Sequence, residues 1–398
     1  MKKINLITIF ALVILNFTST MITAQNFKPT KELLKEVAEM RKALHAIPEY
    51  SHKEKKTADL LTQYLKKDNP DFLYTNIGGY GLVAGYKGNS DGPSVMFRSD
   101  MDAIQTDDGF SHLCGHDGHM AILLGLSRIL SKNRDFEGTM WLLFQPAEEV
   151  GEGAALMVPD LEKLGITFDY SFALHNNPKN PLNKIILHEG VYAAGSTGME
   201  IHFKGTPAHA AYPDRAVSPY KAIIETADYM HQLNDDSTHF EDFILGTVVN
   251  ITLGDINYGV TPGEGYLRMT LRSFVDEDLD ILCNKMEEYA NLKAEEYGLT
   301  TSFAYFDRFP ATVNDDKTNK MLENVMKELG LDYEYASEPT RGSDDFAFFA
   351  FDSISSFFDI GNGNVGIDLH EPGYKFSDEI METALNIYTT LIYKQRIK

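Results

Sequence analysis

The hydrophobic positions change period several times along the chain, and each change marks an element. Over residues 30–44 the apolar positions Leu33, Leu34, Val37, Ala38, Met40 and Leu44 recur at helical spacing and predict an amphipathic helix; residues 57–65 read as a second. Short apolar runs between turn signals follow. Residues 81–86 and 94–98 predict strands, the second buried and ending at Arg98-Ser99-Asp100-Met101-Asp102. Residues 120–129 are apolar with helical spacing, and residues 140–144 and 170–174 are two further buried strands. From about Ser196 the character changes: strands at 198–203, 243–253 and 266–274, helices at 219–233 and 276–297, then a strand at 300–306. The order strand, helix, strand, strand, helix, strand is a self-contained α+β unit, inserted into the first pattern. That pattern then resumes with a helix at 317–329, a turn at Arg341-Gly342-Ser343-Asp344-Asp345, a strand at 356–360 and a closing helix at 379–394.

The expected architecture is α/β: a mixed, mostly parallel sheet sandwiched by helices, carrying an inserted ferredoxin-like α+β unit. A chain of 398 residues has room for two domains, since single cores stop growing at about 250–300 residues. The first residues have a separate job. Lys2 and Lys3 precede an apolar run from residue 4 to 17 and a small-residue stretch ending Met21-Ile22-Thr23-Ala24, the layout of a secretory signal peptide cut after Ala24. An uncleaved N-terminal anchor is the alternative. The removed segment holds two lysines and no acid, so the formal charge of −22 becomes −24 in the mature, exported chain, periplasmic or secreted. So acidic a protein lacks the clustered Lys and Arg that nucleic acid or an anionic membrane surface requires. Neither is an expected partner. Cys114 and Cys283 are the only cysteines, too few for a disulfide framework.

The chemistry concentrates in Ser111-His-Leu-Cys-Gly-His-Asp-Gly-His119, which holds one thiol (Cys114) and three imidazoles (His112, His116, His119). Cys114 and His116 at i, i+2 aim two soft ligands at one point, and Gly115 and Gly118 are expected to let the backbone approach an ion. The helix that follows puts His116 and His119 near a helix N-terminus, whose partial positive charge is expected to help keep Cys114 as a thiolate. The strand at 140–144 runs into Gln145-Pro-Ala-Glu-Glu149, and the strand at 170–174 delivers His175. Strand ends of an open α/β sheet are where sites are built. His370 lies in a late loop, Asp368-Leu-His-Glu-Pro-Gly373. One thiolate, three imidazoles (His116, His175, His370) and two carboxylates (Glu148, Glu149) exceed what one tetrahedral ion needs and suit a pair of divalent ions. Such a pair implies hydrolysis, with one carboxylate as ligand and the other as general base. The residues alone leave open which is which.

The motifs Arg98-Ser-Asp-Met-Asp-Ala103, His112-Leu-Cys-Gly-His-Asp-Gly-His119, Gln145-Pro-Ala-Glu-Glu149, Ala173-Leu-His175, Ala208-His-Ala-Ala211 and Leu369-His-Glu-Pro-Gly-Tyr374 together resemble the M20 metallopeptidase and amidohydrolase family. The nearest branch contains hippurate hydrolases, N-acyl-amino-acid amidohydrolases and auxin-conjugate hydrolases. The resemblance implies Cys114, His116, Glu149, His175 and His370 as metal ligands, the thiolate able to bridge, and Glu148 as general base. It implies two divalent ions, zinc or manganese first and cobalt or nickel as alternatives. It makes residues 25–195 and 309–398 the two parts of a catalytic domain and 196–308 a lid and dimerisation domain. From that domain His209 would steady the oxyanion, in its own or the partner subunit of a homodimer, and Arg272 would bind a substrate carboxylate. Three stretches depart from the branch: the short segment between Asp102 and His112, Gly259-Val-Thr-Pro262, and Gly342-Ser-Asp-Asp-Phe346. The implied function is hydrolysis of the amide bond of N-acyl amino acids or similar small conjugates. A carboxypeptidase or dipeptidase acting on short peptides is the alternative, and a non-catalytic metal-binding relative a more distant one.

Overall fold

The computed structural model describes residues 28–235, 238–363, 366–394 and 397; the expected signal peptide lies outside them. Two helices open the described chain, α1 (Lys31–His45) and α2 (Lys55–Asp68), the first capped by Thr30, whose hydroxyl accepts the Leu33 N–H. Strands β1 (Phe72–Ile77), β2 (Gly81–Lys87) and β3 (Ser90–Asp100) follow, then the short hairpin β4 (Ile104–Thr106) and β5 (Gly109–Ser111). Next come α3 (His116–Lys132), β6 (Glu137–Gln145), α4 (Gly153–Lys163), β7 (Tyr170–Asn177), β8 (Ile185–Leu187) and β9 (Val191–Ala193). The inserted run is β10 (Gly195–Lys204), β11 (Ala208–His209), α5 (Tyr220–Asn234), β12 (Ile244–Leu253), β13 (Val260–Thr261), β14 (Glu264–Ser273), α6 (Asp276–Tyr297) and β15 (Thr300–Phe309). The chain returns through β16 (Thr312–Val313), α7 (Asp316–Leu329), β17 (Tyr333–Tyr335), α8 (Ala347–Ala350), β18 (Ile354–Gly361) and α9 (Ile380–Tyr393).

The large sheet has the order β1-β2-β6-β3-β7-β18-β8-β17. Its centre, β6, β3, β7 and β18, is parallel, so the carboxyl ends of four strands lie side by side. These strands are buried on both faces, and alternate residues go to different cores. Val95 and Phe97 face α1, α2, α3, α7 and α9, whereas Met96, Trp141 and Ala173 face α4 and α8. That two-sided burial is why they read as unbroken apolar runs. The second sheet, β12-β14-β10-β15, is antiparallel throughout, and α5 and α6 pack on one face of it around their own core. Its order is that of a ferredoxin-like unit.

Candidate metal centre

The turn between β5 and α3 is the first piece of the site. Gly115 caps α3 in the left-handed region at φ +98°, and a Cβ there would stand 2.2 Å from Asn176 Oδ1. Gly118, inside the helix, would put a Cβ 2.2 Å from the Phe376 ring. The two glycines therefore make room for protein neighbours, Asn176 and Phe376. His116 and His119 occupy the first turn of α3 and are buried. His119 is held at both nitrogens, 2.6 Å from Asp100 Oδ1 and 2.6 Å from Asn176 Oδ1. Asn176 in turn donates to Tyr374 Oη at 2.6 Å. His112 is buried away from this network, its ring 6.2 Å from that of His45.

The strand ends bring the rest. Glu148 and Glu149 follow β6 and His175 lies within β7, while His370 sits in the late loop with φ +65°, its N–H donating to Leu113 O at 3.0 Å. Cys114 Sγ is 3.4 Å from His175 Nε2, His116 Nε2 is 3.8 Å from Glu149 Oε1, and His370 Nε2 is 3.4 Å from the same oxygen. Cys114, Glu149 and His370 offer atoms all within 4.8 Å of one another. Cys114, Glu149, His175 and His370 line one cleft of about 420 Å³, and buried His116, which does not line it, offers an atom within 4.8 Å of His175, His119 and Asp100. Glu148 lines the same cleft, with its Oε2 3.9 Å from His116 Nε2.

Two atoms of this group, His116 Nε2 and Glu149 Oε1, are buried and make no hydrogen bond. A lone pair and a carboxylate oxygen left unpaired in the interior cost free energy, and a thiol, imidazoles and carboxylates converging on them are the donor set of a divalent metal. The residues fit such an ion. Electrostatics point the same way. Burial, with Glu149 and Glu148 adding, pushes the Cys114 thiol well above its ordinary value, so whatever the helix end contributes to a thiolate is opposed by the carboxylates around it, which a cation would offset. Burial pushes His175 down to about 4. For His116 burial acts downward, but Asp100, Asp102 and Glu149 outweigh it and lift the ring to about 10.

Residues outside the predicted set complete the electrostatics. Arg98, buried at the end of β3, donates to Gln145 Oε1 (2.8 Å) and Asp100 Oδ2 (2.9 Å) and pairs with Asp344 Oδ1 (3.1 Å) and Asp345 Oδ1 (3.2 Å). Burial, then Asp344, Glu149 and Asp345, push the Glu148 carboxyl well above its ordinary value, against Arg98. In sequence, a charged residue closing the apolar run Val95-Met96-Phe97 was the available signal for Arg98, and the doubled acid of a turn that for Asp344 and Asp345.

The predicted lid residues lie elsewhere. His209 is exposed on β11 opposite Val260, its Nδ1 accepting the Ala211 N–H at 3.1 Å, and it does not line the cleft of this chain. Arg272 is half-buried on β14 and donates to Arg341 O (2.8 Å) and to Ser343 Oγ (3.1 Å), a hydroxyl of the cleft wall.

Residues 96–394 match the profile of peptidase family M20/M25/M40. The protein belongs to that family. Among its relatives, N-acetylcysteine deacetylase of Bacillus subtilis is 27% identical over 88% of this chain and 94% of its own. Hippurate hydrolase of Campylobacter jejuni is 29% identical over 91% of this chain and 97% of its own. The crystal structure of the Bacillus subtilis YXEP protein, a dinuclear metal binding peptidase from the M20 family, superposes with a TM-score of 0.77 at 25% identity, covering 91% of this chain and 98% of that one. As an M20 protein the chain is a metal-dependent hydrolase acting on amide C–N bonds. No helix among the described residues is long and apolar enough to cross a membrane.

Proposed function

We propose that this M20 hydrolase cleaves the amide bond of N-acyl amino acids or similar small conjugates, with Glu148 as general base and Cys114, His116, Glu149, His175 and His370 holding two divalent ions, zinc or manganese first. The observation that carries the reading is the position of Glu148: a buried carboxylate on the cleft wall that lies outside the Cys114, Glu149 and His370 group, with its pKa raised by burial and neighbouring acids. The names of the deacetylase and hippurate hydrolase relatives support the substrate class. Bound ions of this kind lower the pKa of water and polarise a carbonyl. Glu148 takes a proton from the attacking water and returns it to the leaving amine nitrogen. Arg272, which donates to Ser343 of the cleft wall and has no acidic ion-pair partner among the described residues, binds the substrate's carboxylate.

The remaining parts of the reading concern the inserted unit and the destination of the protein. Residues 196–308 act as a lid and dimerisation domain. Its edge strand β12 leaves Val249 and Ile251 exposed, and neighbouring α5 exposes Tyr220 and Ile224, a surface suited to a second copy. His209, exposed outside its own cleft, then steadies the oxyanion in the partner subunit. The basic, apolar, small-residue layout of residues 1–24 supports export. Steady-state assays on acetyl- and benzoyl-amino acids beside dipeptides test the substrate class. Metal-dependent cleavage of the acylated amino acids is expected; turnover of dipeptides alone would move the protein to the peptidase reading.

A further inference from the structure

Glu148 and Glu149 leave β6 through an unusual backbone. Ala147, immediately before them, has φ +50°, in the left-handed region that a Cβ disfavours. Its N–H is accepted at 2.8 Å by the carboxylate of Glu54, 93 residues earlier in the chain. Glu54 is fully buried. The oxygen that holds Ala147 also accepts the His52 N–H at 3.0 Å, while its other oxygen, Oε2, is buried with no hydrogen bond. A half-satisfied buried carboxylate is a poor choice for packing alone, because an apolar side chain would avoid the desolvation cost.

The bonds around it share a direction. Ser51 Oγ donates to Asp102 Oδ2 at 2.7 Å, the same oxygen accepts the Glu149 N–H at 3.1 Å, and the Ala103 N–H donates to Glu49 O at 2.8 Å. The segment from Glu49 to Glu54, between α1 and α2, therefore bonds both the turn after β3 and the turn after β6 that carries Glu148 and Glu149. Glu54 is the part of that segment that touches the strained residue.

We propose that Glu54 is a positioning residue for Glu148: its carboxylate fixes the left-handed kink at Ala147 and so aims the Glu148 side chain into the cleft. The proposal rests on Glu148 being the base. It predicts coupling between position 54 and the backbone strain at 147, since glycine adopts positive φ without a clamp.

The test compares the wild type, Glu54→Ala, Glu54→Gln, Ala147→Gly and the double variant Glu54→Ala with Ala147→Gly. It measures kcat and KM on benzoyl- and acetyl-amino acids, metal content, and amide hydrogen exchange of the peptide covering residues 146–150. Glu54→Ala is expected to lower kcat at least tenfold with KM within about twofold and metal content unchanged, and to speed exchange in that peptide. Glu54→Gln keeps an accepting oxygen and is expected to retain most of kcat. In the Ala147→Gly background the same Glu54→Ala change is expected to cost less than threefold. Equal losses in both backgrounds, or a folded Glu54→Ala enzyme with unchanged kcat, would overturn the proposal. Should Glu54→Ala fail to fold, a double variant that folds and turns over supports it, and one that is equally unfolded overturns it. The exchange data do not depend on catalysis, so they separate this proposal from the assignment of Glu148: an active Glu148→Gln enzyme removes the base reading, while the coupling between 54 and 147 is still read from exchange.

Discussion

Replacing Glu148 by Gln keeps the shape of the side chain and removes its charge and its basicity, and the structure predicts opposite effects on activity and on stability. Glu148, Asp344 and Asp345 are buried and offer oxygens all within 4.8 Å of one another, with Arg98 as the nearby cation. Two like charges at that distance in an effective dielectric near 20 repel by about 3 kcal/mol. Protonation of one member relieves part of this, so a net gain of about 1–2 kcal/mol is the expected effect of the neutral amide on the chelated protein. Loss of a positioned general base costs about 10²–10⁴-fold in turnover. The assay pairs kcat on an N-acyl amino acid with urea unfolding of the metal-free protein, and elemental analysis of the loaded variant, which should hold about two ions per chain. A variant within tenfold of the wild-type kcat would refute Glu148 as base. A metal-free variant less stable than the wild type would refute the account of the acidic cluster.

Gly118→Ala should destabilise the fold by about 1–3 kcal/mol in thermal unfolding, because the new methyl meets the Phe376 ring behind the site at 2.2 Å; an unchanged melting temperature would mean the ring moves freely. Burial, with Asp102 adding, raises the Glu54 carboxyl from 4.5 to about 7. The stability tied to its neutral form is therefore fully present below pH 4.5 and lost as pH rises to 7, by up to about 3 kcal/mol. Chelated Glu54→Gln should lack that loss, and equal pH slopes for variant and wild type in urea unfolding would contradict it. Arg272→Gln should raise KM for N-acyl amino acids about tenfold or more with little change in kcat, as expected for a lost carboxylate contact; a fall in kcat alone would assign Arg272 to the chemistry instead.

What the sequence made legible follows from where each signal resides. The apolar run after the Cys/His cluster predicted a helix beginning near His116, and α3 starts there because Gly115 turns the chain at positive φ. The central strands were readable because burial on both faces leaves continuous apolar runs. Strand β1 was not, since it is an edge strand with only one of its six residues buried, and α4 was hidden by Gly153 at its start and Pro159 within it. Strands β8 and β17 are three residues long, too short for a periodic signal. Within the site, the thiol and imidazoles of the Cys/His cluster and the doubled glutamate announced themselves by residue type and local density, whereas His175 stood out by its strand end and His370 by the family motif that carries it. Arg98, Asp344, Asp345 and Glu54 did not, because a lone charge acquires meaning only from partners that folding brings across the sheet. What surrounds Gly115, Gly118 and the Cys114 thiol was hidden for the same cause: Asn176, Phe376 and most of the carboxylates are distant in sequence.

The central claim is a pair of divalent ions held by Cys114, His116, Glu149, His175 and His370. Elemental analysis of the purified chain from Gln25 to Lys398, before and after incubation with zinc or manganese, tests it most directly. The account predicts about two ions per chain, reduced in a Cys114→Ser variant that still folds. A folded wild-type protein that holds no metal and takes up none would contradict it.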